Sequence, residues 1–280
     1  MLPERSGGSV KLATWNVNSV KARLPRLLDW LDRTDPDVLC VQETKVAADA
    51  FPAKEVAELG YETAHHGEGR WNGVALLSRA GLEDVRRGFA GDPGWAGEPT
   101  GEEGLFEQPH IEARAVSALC GGVRVWSVYV PNGRTPESAH YTYKLSWLGG
   151  LRTAVAQDLA SAAPVVVCGD FNVAPTDADV FDPAAFVGST HVTAPERAAL
   201  AALREAGLDD IVPTPMKGPN PFTYWDYRAG MFHQDKGMRI DLVYASPALS
   251  GAVTSAYIDR EARKGKGPSD HAPIVIDFDI

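Results

Sequence analysis

The sequence predicts an α/β fold in which two β-sheets carry helices on their outer sides. Short apolar runs of strand length alternate along the chain with longer runs whose apolar residues recur at helical spacing. About ten such strands with interspersed helices are too many for one small sheet, which favours two packed sheets. Hydrophobic residues make up 44% of the 280 residues and charged residues 23%, as in ordinary globular proteins. We therefore expect one domain over residues 10–280, preceded by a disordered lead-in at residues 1–9.

The individual elements follow from local patterns. Leu24, Leu27, Leu28 and Leu31 share one helical face, which predicts a helix over 22–33. The other predicted helices are 51–59 with Gly60 after its end, 137–160, and 195–206 with Gly207 after its end. The predicted strands are 11–17, 37–42, 73–78, 111–119, 123–130, 164–168, 222–225, 240–245, 253–258 and 274–278.

Charge and composition limit the possible partners. The net charge is −10 and the pI is about 5.2, which by itself argues against a nucleic-acid partner. Basic residues nevertheless cluster at 86–87, 236–239 and 260–266, so the overall acidity does not decide the question. No run of about 18 apolar residues is present, so we expect no membrane partner. The three cysteines lie in or beside apolar runs, which indicates reduced, buried thiols and a cytoplasmic location.

Several predicted strands end in residues that carry hard oxygen atoms. Asn16, Glu43 and Asp170 each follow a strand, with Asn172 two residues after Asp170. In α/β folds, ligands and catalytic groups gather at such strand ends. Carboxylate and amide oxygens suit Mg²⁺, or Mn²⁺ as a substitute. The sequence has no zinc-ligand spacing, no nucleophile elbow and no Walker loop.

These residue types permit a division of roles. Glu43, assisted by Asn16 and Asp270, fits a magnesium site, and Asp170 is the candidate base that accepts a proton from water. His271 needs a partner that keeps it charged. Asp241 can supply that partner and Asn172 can hold the water or a phosphate oxygen, whereas Tyr129 is equally well explained as a core aromatic residue. The residues alone thus indicate only metal-assisted phosphoryl transfer.

Seven segments in a fixed order resemble the exonuclease III family of DNA-repair nucleases, within the endonuclease/exonuclease/phosphatase superfamily. The resemblance extends from about residue 11 to residue 278 and implies a four-layer α/β/β/α sandwich of two mixed sheets flanked by helices. The segments are 14–18 (TWNVN), 40–45 (CVQETK), 73–78 (GVALLS), 129–133 (YVPNG), 169–175 (GDFNVAP), 239–242 (RIDL) and 268–273 (PSDHAP).

The resemblance also implies roles for the residues in these segments. The catalytic set is Tyr129, which contacts the scissile phosphate, with Asp170, Asn172, Asp241 and His271. The groups at or near the metal are Asn16, Glu43, Asp170, Asn172, Asp270 and His271.

The segment 222–228 (FTYWDYR) separates this family from its small-molecule relatives. An aromatic pocket suits a flipped-out sugar that has lost its base. We expect Tyr224, with Met238 opposite, to form walls of that pocket, and Trp225 to be either a wall or a core residue. Met238 replaces a bulkier aromatic residue of some relatives, which predicts looser discrimination against intact nucleotides. Asn132 and Arg134 are further candidates for contact with the duplex.

The predicted function is hydrolysis of phosphodiesters in double-stranded DNA during base excision repair. It comprises cutting 5′ to abasic sites, 3′–5′ exonuclease action and cleaning of 3′ ends, by a monomer without an obligate protein partner. Acidic residues of the loop 91–104 should face away from the DNA. Two alternatives remain: a small-molecule phosphodiesterase or phosphatase, related to sphingomyelinases and inositol phosphatases, and a DNA-binding protein whose site has decayed.

Overall fold

Two β-sheets lie face to face, with helices on their outer sides. The computed structural model describes residues 8–97, 109–216 and 218–280. The helices are α1 (Val20–Thr34), α2 (Ala53–Glu58), α3 (Ala139–Leu159), α4 (Ala194–Glu205) and α5 (Pro247–Ser250). The strands are β1 (Ser9–Asn16), β2 (Val38–Gln42), β3 (Glu62–His66), β4 (Val74–Ser78), β5 (Glu83–Arg87), β6 (Ala115–Cys120), β7 (Val123–Tyr129), β8 (Val165–Asp170), β9 (Asp209–Asp210), β10 (Thr214–Pro215), β11 (Asp241–Ala245), β12 (Val253–Ile258) and β13 (Ile274–Asp279).

Both sheets are mixed, as predicted. The seven-stranded sheet has the order β10-β12-β13-β1-β2-β4-β3, and the six-stranded sheet has the order β5-β6-β7-β8-β11-β9. In the first sheet β1 pairs parallel to β2 and antiparallel to β13. In the second sheet β8 pairs parallel to β7 and antiparallel to β11. Consequently the carboxyl ends of β1, β2, β7 and β8 lie near the amino ends of β11 and β13.

The period of two along each strand assigns side chains to layers. In β1, Leu12 belongs to the core between the sheets, whereas Ala13 and Trp15 pack with α1 on the outside. In β8, Val166 faces the other sheet and Val167 packs with α3 and α4. The layers are therefore helix, sheet, sheet and helix, which confirms the predicted sandwich.

The ends of the helices follow the predicted signals closely. At the start of α4, the Thr193 hydroxyl accepts from the Glu196 amide, and the Glu196 side chain accepts from the Thr193 amide. This reciprocal cap satisfies donors that no helical carbonyl can reach. At the start of α1 the Ser19 side chain accepts from the Ala22 backbone amide, and at the start of α3 the Ser138 side chain accepts from the Tyr141 backbone amide.

Four observed strands were not predicted, and one predicted strand is absent. The strands β3 and β5 escaped prediction because both are polar strands at sheet edges, where one side lacks a partner strand and the apolar pattern weakens. The strands β9 and β10 have only two residues each, too few to show a pattern. The predicted strand 222–225 is not a strand, since its ladder consists only of isolated bridges from Tyr224 to Met238 and His271. The apolar character of this segment comes instead from Phe222 and Trp225, which fill the core between the sheets.

The chain ends and the cysteines complete the comparison with prediction. Ser9 already pairs with Asp279, so β1 begins inside the predicted lead-in, and residues 1–7 lie outside the described part of the chain. Residues 98–104 of the acidic loop also lie outside it. Cys40, Cys120 and Cys168 are buried and form no disulfide, as predicted. Within the described ranges, no helix has the length and apolarity that a membrane crossing requires.

Candidate active site

A cavity of about 380 Å³ opens at the rim where these strand ends meet. Most of the residues predicted for the site line it, although they come from segments far apart in the sequence. They are Glu43, Tyr129, Asn132, Asp170, Asn172, Tyr224, Met238, Asp270 and His271. Asn16 and Asp241 lie directly behind this lining and contact it through the hydrogen bonds described below.

Glu43, Asp170 and His271 form the one metal-competent group found among the described residues. Each offers a ligand atom, and these atoms lie within 4.8 Å of one another. Asn16 connects the two carboxylates, because its Nδ2 donates to Glu43 Oε1 at 2.8 Å and to Asp170 Oδ2 at 2.9 Å. In this arrangement Asn16 acts as a donor, and its own Oδ1 accepts from the Asn18 amide.

The group fits a divalent cation by its chemistry. Two carboxylates and an imidazole nitrogen converge in a largely buried space, and Asp241 adds a third carboxylate whose Oδ1 has no hydrogen-bond partner among the described residues. Carboxylate oxygens are the preferred ligands of Mg²⁺ and Mn²⁺, and a cation would offset their mutual repulsion. The identity of the metal does not follow from these contacts.

Glu43 remains ionised despite its position. Burial acts to raise the pKa of its carboxyl, but Lys45, the Asn16 amide and His271 outweigh burial and hold that pKa below its ordinary value. Lys45 Nζ lies 2.7 Å from Glu43 Oε2. The residue therefore presents a negative charge to the cavity.

Asp170 and His271 have opposite electrostatic surroundings. Burial raises the pKa of Asp170 to about 7, and the Asp241 and Glu43 carboxylates add to the effect of burial while His271 opposes it. Burial acts to lower the pKa of His271, but Asp241, Asp170 and Asp270 together raise it to about 10. His271 Nδ1 lies 2.7 Å from Asp241 Oδ2, and His271 Nε2 lies 3.9 Å from Asp170 Oδ2. The predicted Asp241–His271 pair is thus present and holds the imidazolium form.

Asn172 and Asn132 are fixed by a network that the sequence analysis missed. Asn172 Nδ2 donates to the Val130 carbonyl at 3.0 Å, and Asn132 Nδ2 donates to Asn172 Oδ1 at 3.2 Å. The fully buried Lys144 of α3 donates to the carbonyls of Asn172 and Asn132, at 2.7 and 3.2 Å. Its charge is matched by Glu196 Oε1 at 2.5 Å. No motif contains Lys144, so only the packing of α3 reveals its part.

Tyr129 stands against Glu43 at the edge of the cavity. Burial raises the pKa of its hydroxyl well above the ordinary value, and the neighbouring Glu43 adds to this. The Arg114 guanidinium lies over the Tyr129 ring, 4.9 Å from its centre, and is held by Glu112 at 2.6 Å. Tyr129 therefore stays protonated, and its hydroxyl can donate a hydrogen bond to an anion.

The predicted substrate residues divide into two groups. Tyr224 and Met238 line the cavity, and the Tyr224 ring centre lies 4.9 Å from that of His271. Trp225 lies in the core between the sheets, and its Nε1 donates to Asp235. Arg134 is exposed and lies outside the cavity lining.

Asp270, of the segment 268–273, lines the cavity but is not one of the three metal-competent residues, and its Oδ1 accepts from Asn18 Nδ2 at 3.0 Å. His191, which the sequence analysis did not single out, also lines the cavity. His191 Nδ1 lies 2.5 Å from the Asn172 carbonyl. Apolar side chains of the lining that the sequence analysis did not single out are Phe181, Phe186, Met231 and Ile240.

Comparisons with known proteins find similar proteins along nearly the whole chain. Residues 13–271 match the Endonuclease/Exonuclease/phosphatase family. Exodeoxyribonuclease III of Haemophilus influenzae is 29% identical over 280 residues, covering 96% of this chain and all of the relative. The 3′ phosphatase NExo from Neisseria, solved with a product DNA hairpin, is 34% identical with a TM-score of 0.87, and an AP endonuclease from Archaeoglobus fulgidus is 33% identical with a TM-score of 0.86. Each of these two alignments covers 97% of this chain and all of the other.

Proposed function

Because the chain belongs to the exonuclease III and AP endonuclease family of the endonuclease/exonuclease/phosphatase superfamily, we propose that it hydrolyses phosphodiesters of double-stranded DNA in base excision repair. The proposed activities are cutting 5′ to abasic sites, 3′–5′ exonuclease action and removal of blocking groups from 3′ ends. The relatives support this range, since they include an exodeoxyribonuclease, a 3′ phosphatase bound to DNA and an AP endonuclease.

The observation that carries the proposal is the convergence of Glu43, Asp170 and His271 within 4.8 Å at the floor of one cavity. A phosphate seated above them would meet an acceptor for a proton, a cationic donor and a metal-competent carboxylate together. Such an arrangement suits in-line attack by water, where charge accumulates on the phosphate oxygens.

In the proposed reaction each side chain has one task. Asp170 accepts the proton of the attacking water, and the Asn172 amide orients that water. His271, held by Asp241 at 2.7 Å, donates to a phosphate oxygen, as does the Tyr129 hydroxyl.

We propose that Glu43 is the principal metal ligand, with Asp170, Asn16, Asn172 and Asp270 as candidates for further contacts. His271 would contact the metal only as a neutral imidazole, which is an alternative to its proposed role as a charged donor. Bound Mg²⁺ would neutralise charge on the phosphate and the leaving oxygen, and Mn²⁺ would substitute for it.

For substrate recognition we propose that Tyr224 and Met238 form walls for the abasic sugar, while Asn132 and Arg134 contact the DNA backbone. Phe181, Phe186 and Ile240 extend the apolar lining, which supports a ligand with a flat uncharged part beside the phosphate. Trp225 supports the wall from behind, since it is buried in the core.

The decisive experiment uses a labelled duplex with one tetrahydrofuran abasic analogue, incubated with Mg²⁺ or with EDTA. We expect one cut 5′ to the analogue that EDTA abolishes. Digestion from 3′ ends without a cut at the analogue would keep the nuclease and reject the abasic pocket. Binding without cleavage in Mg²⁺ would favour a decayed site, and faster hydrolysis of sphingomyelin or inositol phosphates than of DNA would favour the small-molecule alternative.

A further inference from the structure

A second cavity, of about 390 Å³, adjoins the candidate active site. Asp226 and Met231 line both cavities. Tyr227, Phe232 and Arg263 also line the second cavity. The proposed catalytic roles do not account for this part of the surface.

Arg263 is buried and takes part in no ion pair formed among the described residues. The residue is only 6% exposed, and its guanidinium lies 5.0 Å from the ring centres of both Tyr227 and Phe232. Its Nη2 donates to the Trp225 carbonyl at 2.9 Å, and its Nε has no partner among the described residues. The Asp270 carboxylate attracts this cation only from a longer distance, so the guanidinium lacks a direct anionic partner.

Arg23 reaches the same place from α1. Its Nη2 donates to the Tyr227 hydroxyl at 2.8 Å and to the Pro268 carbonyl at 3.2 Å, and its Nε also lacks a partner among the described residues. Burial lowers the pKa of Arg263; Tyr227, Asp270 and Tyr224 oppose this effect, and Arg23 adds to it. The two guanidinium groups therefore repel each other, and a further anion between them would relieve that repulsion.

Nearby basic residues differ in this respect. Arg260 pairs with Asp235, Lys264 with Glu261, and Arg228 with Asp226. These three cations are thus neutralised. Arg23, Arg263 and the neighbouring Arg26 take part in none of the ion pairs formed among the described residues, and Arg26 donates instead to the carbonyls of Ala262, Lys264 and Lys266. Arg23 and Arg263 both contact Tyr227, so their two charges act at the same place.

We propose that Arg23, Tyr227 and Arg263 form a subsite for a second backbone phosphate of the DNA strand that is cut. This inference rests on the proposed function. The planar guanidinium groups suit a phosphate, which accepts paired hydrogen bonds from them. The Tyr227 ring, 49% exposed, offers an apolar face for the adjoining sugar. A phosphate bound here would fix the strand relative to the catalytic cavity.

The test measures how DNA binding depends on salt. Affinity of the wild-type chain for a labelled abasic duplex is determined in EDTA, by fluorescence anisotropy, from 50 to 200 mM KCl. We expect Arg23→Gln and Arg263→Gln each to weaken binding by about 10-fold and to lower the slope of log affinity against log salt by about 1. Because both arginines serve one phosphate, the double variant should lower the slope by no more than either single variant. Arg152→Gln, an exposed charge on α3, is the matched control and should change neither quantity.

Neutral methylphosphonate linkages identify the phosphate. At one position in the cut strand, the neutral linkage should weaken DNA binding by the wild-type chain. The same linkage should not weaken DNA binding by the Arg23→Gln variant any further. Thermal unfolding of each variant checks the fold, and Arg23→Gln keeps the test valid if Arg263→Gln unfolds, since Arg23 is only half-buried. Unchanged slopes, or equal sensitivity of wild type and variants to every linkage, would overturn the subsite alone. If the wild-type chain binds no DNA, the proposed function and the subsite are both refuted.

Discussion

At the level of single residues, the candidate site depends on chemically similar acids in different surroundings. Asp170 and Asp241 are both buried and are paired in register across β8 and β11. Asp241 accepts from the His271 imidazolium at 2.7 Å. Asp170 lies 3.9 Å from that ring and accepts from the backbone amide of Asn172. In the proposed reaction it is the environment, and not the residue type, that separates the proton acceptor Asp170 from the orienting group Asp241.

The role of Asp170 is tested by Asp170→Asn, which removes the proton acceptor but keeps the shape of the side chain. We expect kcat for cleavage of the abasic duplex to fall by about 10²-fold to 10⁴-fold, with DNA binding still measurable by anisotropy. Asp29→Asn, at an exposed position of α1, is the control. Nearly intact turnover in Asp170→Asn would assign the base elsewhere.

The role of Asp241 is tested by Asp241→Asn, which leaves His271 with a neutral partner. The Asp241 charge is the main influence that raises the pKa of His271 to about 10, so this pKa should fall by several units. NMR titration of the imidazole in the metal-free protein measures the shift directly. We also expect kcat to fall by about 10²-fold while KM changes little. An unchanged His271 titration would show that Asp241 does not hold the charge.

At the level of elements, α3 and α4 hold the loops of the site from behind. Lys144 of α3 donates to two carbonyls of these loops and pairs with Glu196 of α4. Glu196 also accepts from Thr190 and from the His191 amide. Each group of this buried network has a partner, so removing one member leaves others unsatisfied.

The network predicts a large effect of Lys144→Met. We expect the free energy of unfolding to fall by about 3–5 kcal/mol, because Glu196 would remain as an unpaired buried charge. Urea denaturation measures the loss, with Lys54→Met on the exposed side of α2 as control. The double variant with Glu196→Gln should recover part of the stability, and additive losses in that cycle would argue against a coupled pair.

At the level of the whole molecule, stability should depend on pH through buried histidines. Burial lowers the pKa of His65 from 6.5 to about 4; a hydrogen bond to the Ala48 backbone opposes this effect, and His66 and Arg87 add to it. Below pH 6.5 the unfolded chain binds a proton that the folded chain takes up only near pH 4. The contribution of His65 to stability is therefore fully present above about pH 6.5 and is lost as the pH falls to about 4.

His65→Gln tests this linkage. Over that pH range we expect the slope of unfolding free energy against pH to decrease by as much as about 1.4 kcal/mol per pH unit, the equivalent of one proton. His233→Gln, at an exposed position, should leave the slope unchanged. Equal slopes for wild type and His65→Gln would mean that His65 is protonated in the folded protein.

The sequence by itself determined the layered architecture and half of the cavity lining. Alternation of apolar side chains reports which strand faces are buried, and this periodicity is a local property. The residues at the ends of β1, β2 and β8 were therefore identified as site residues without knowledge of their contacts. The aromatic segment 222–228 was singled out through the resemblance to the exonuclease III family, and its sequence could not tell Tyr224, which lines the cavity, from Trp225, which fills the core.

Only the tertiary structure decided how these residues meet. Asn16 and Asp170 are 154 positions apart, and their hydrogen bond depends on how the two sheets pack, which no local pattern specifies. The same holds for Lys144 and Arg114, whose partners lie on other elements, and for the polar edge strands β3 and β5, which are defined by pairing and not by apolar pattern. Local sequence determines burial, whereas contacts between distant segments follow from the register and packing of the assembled sheets.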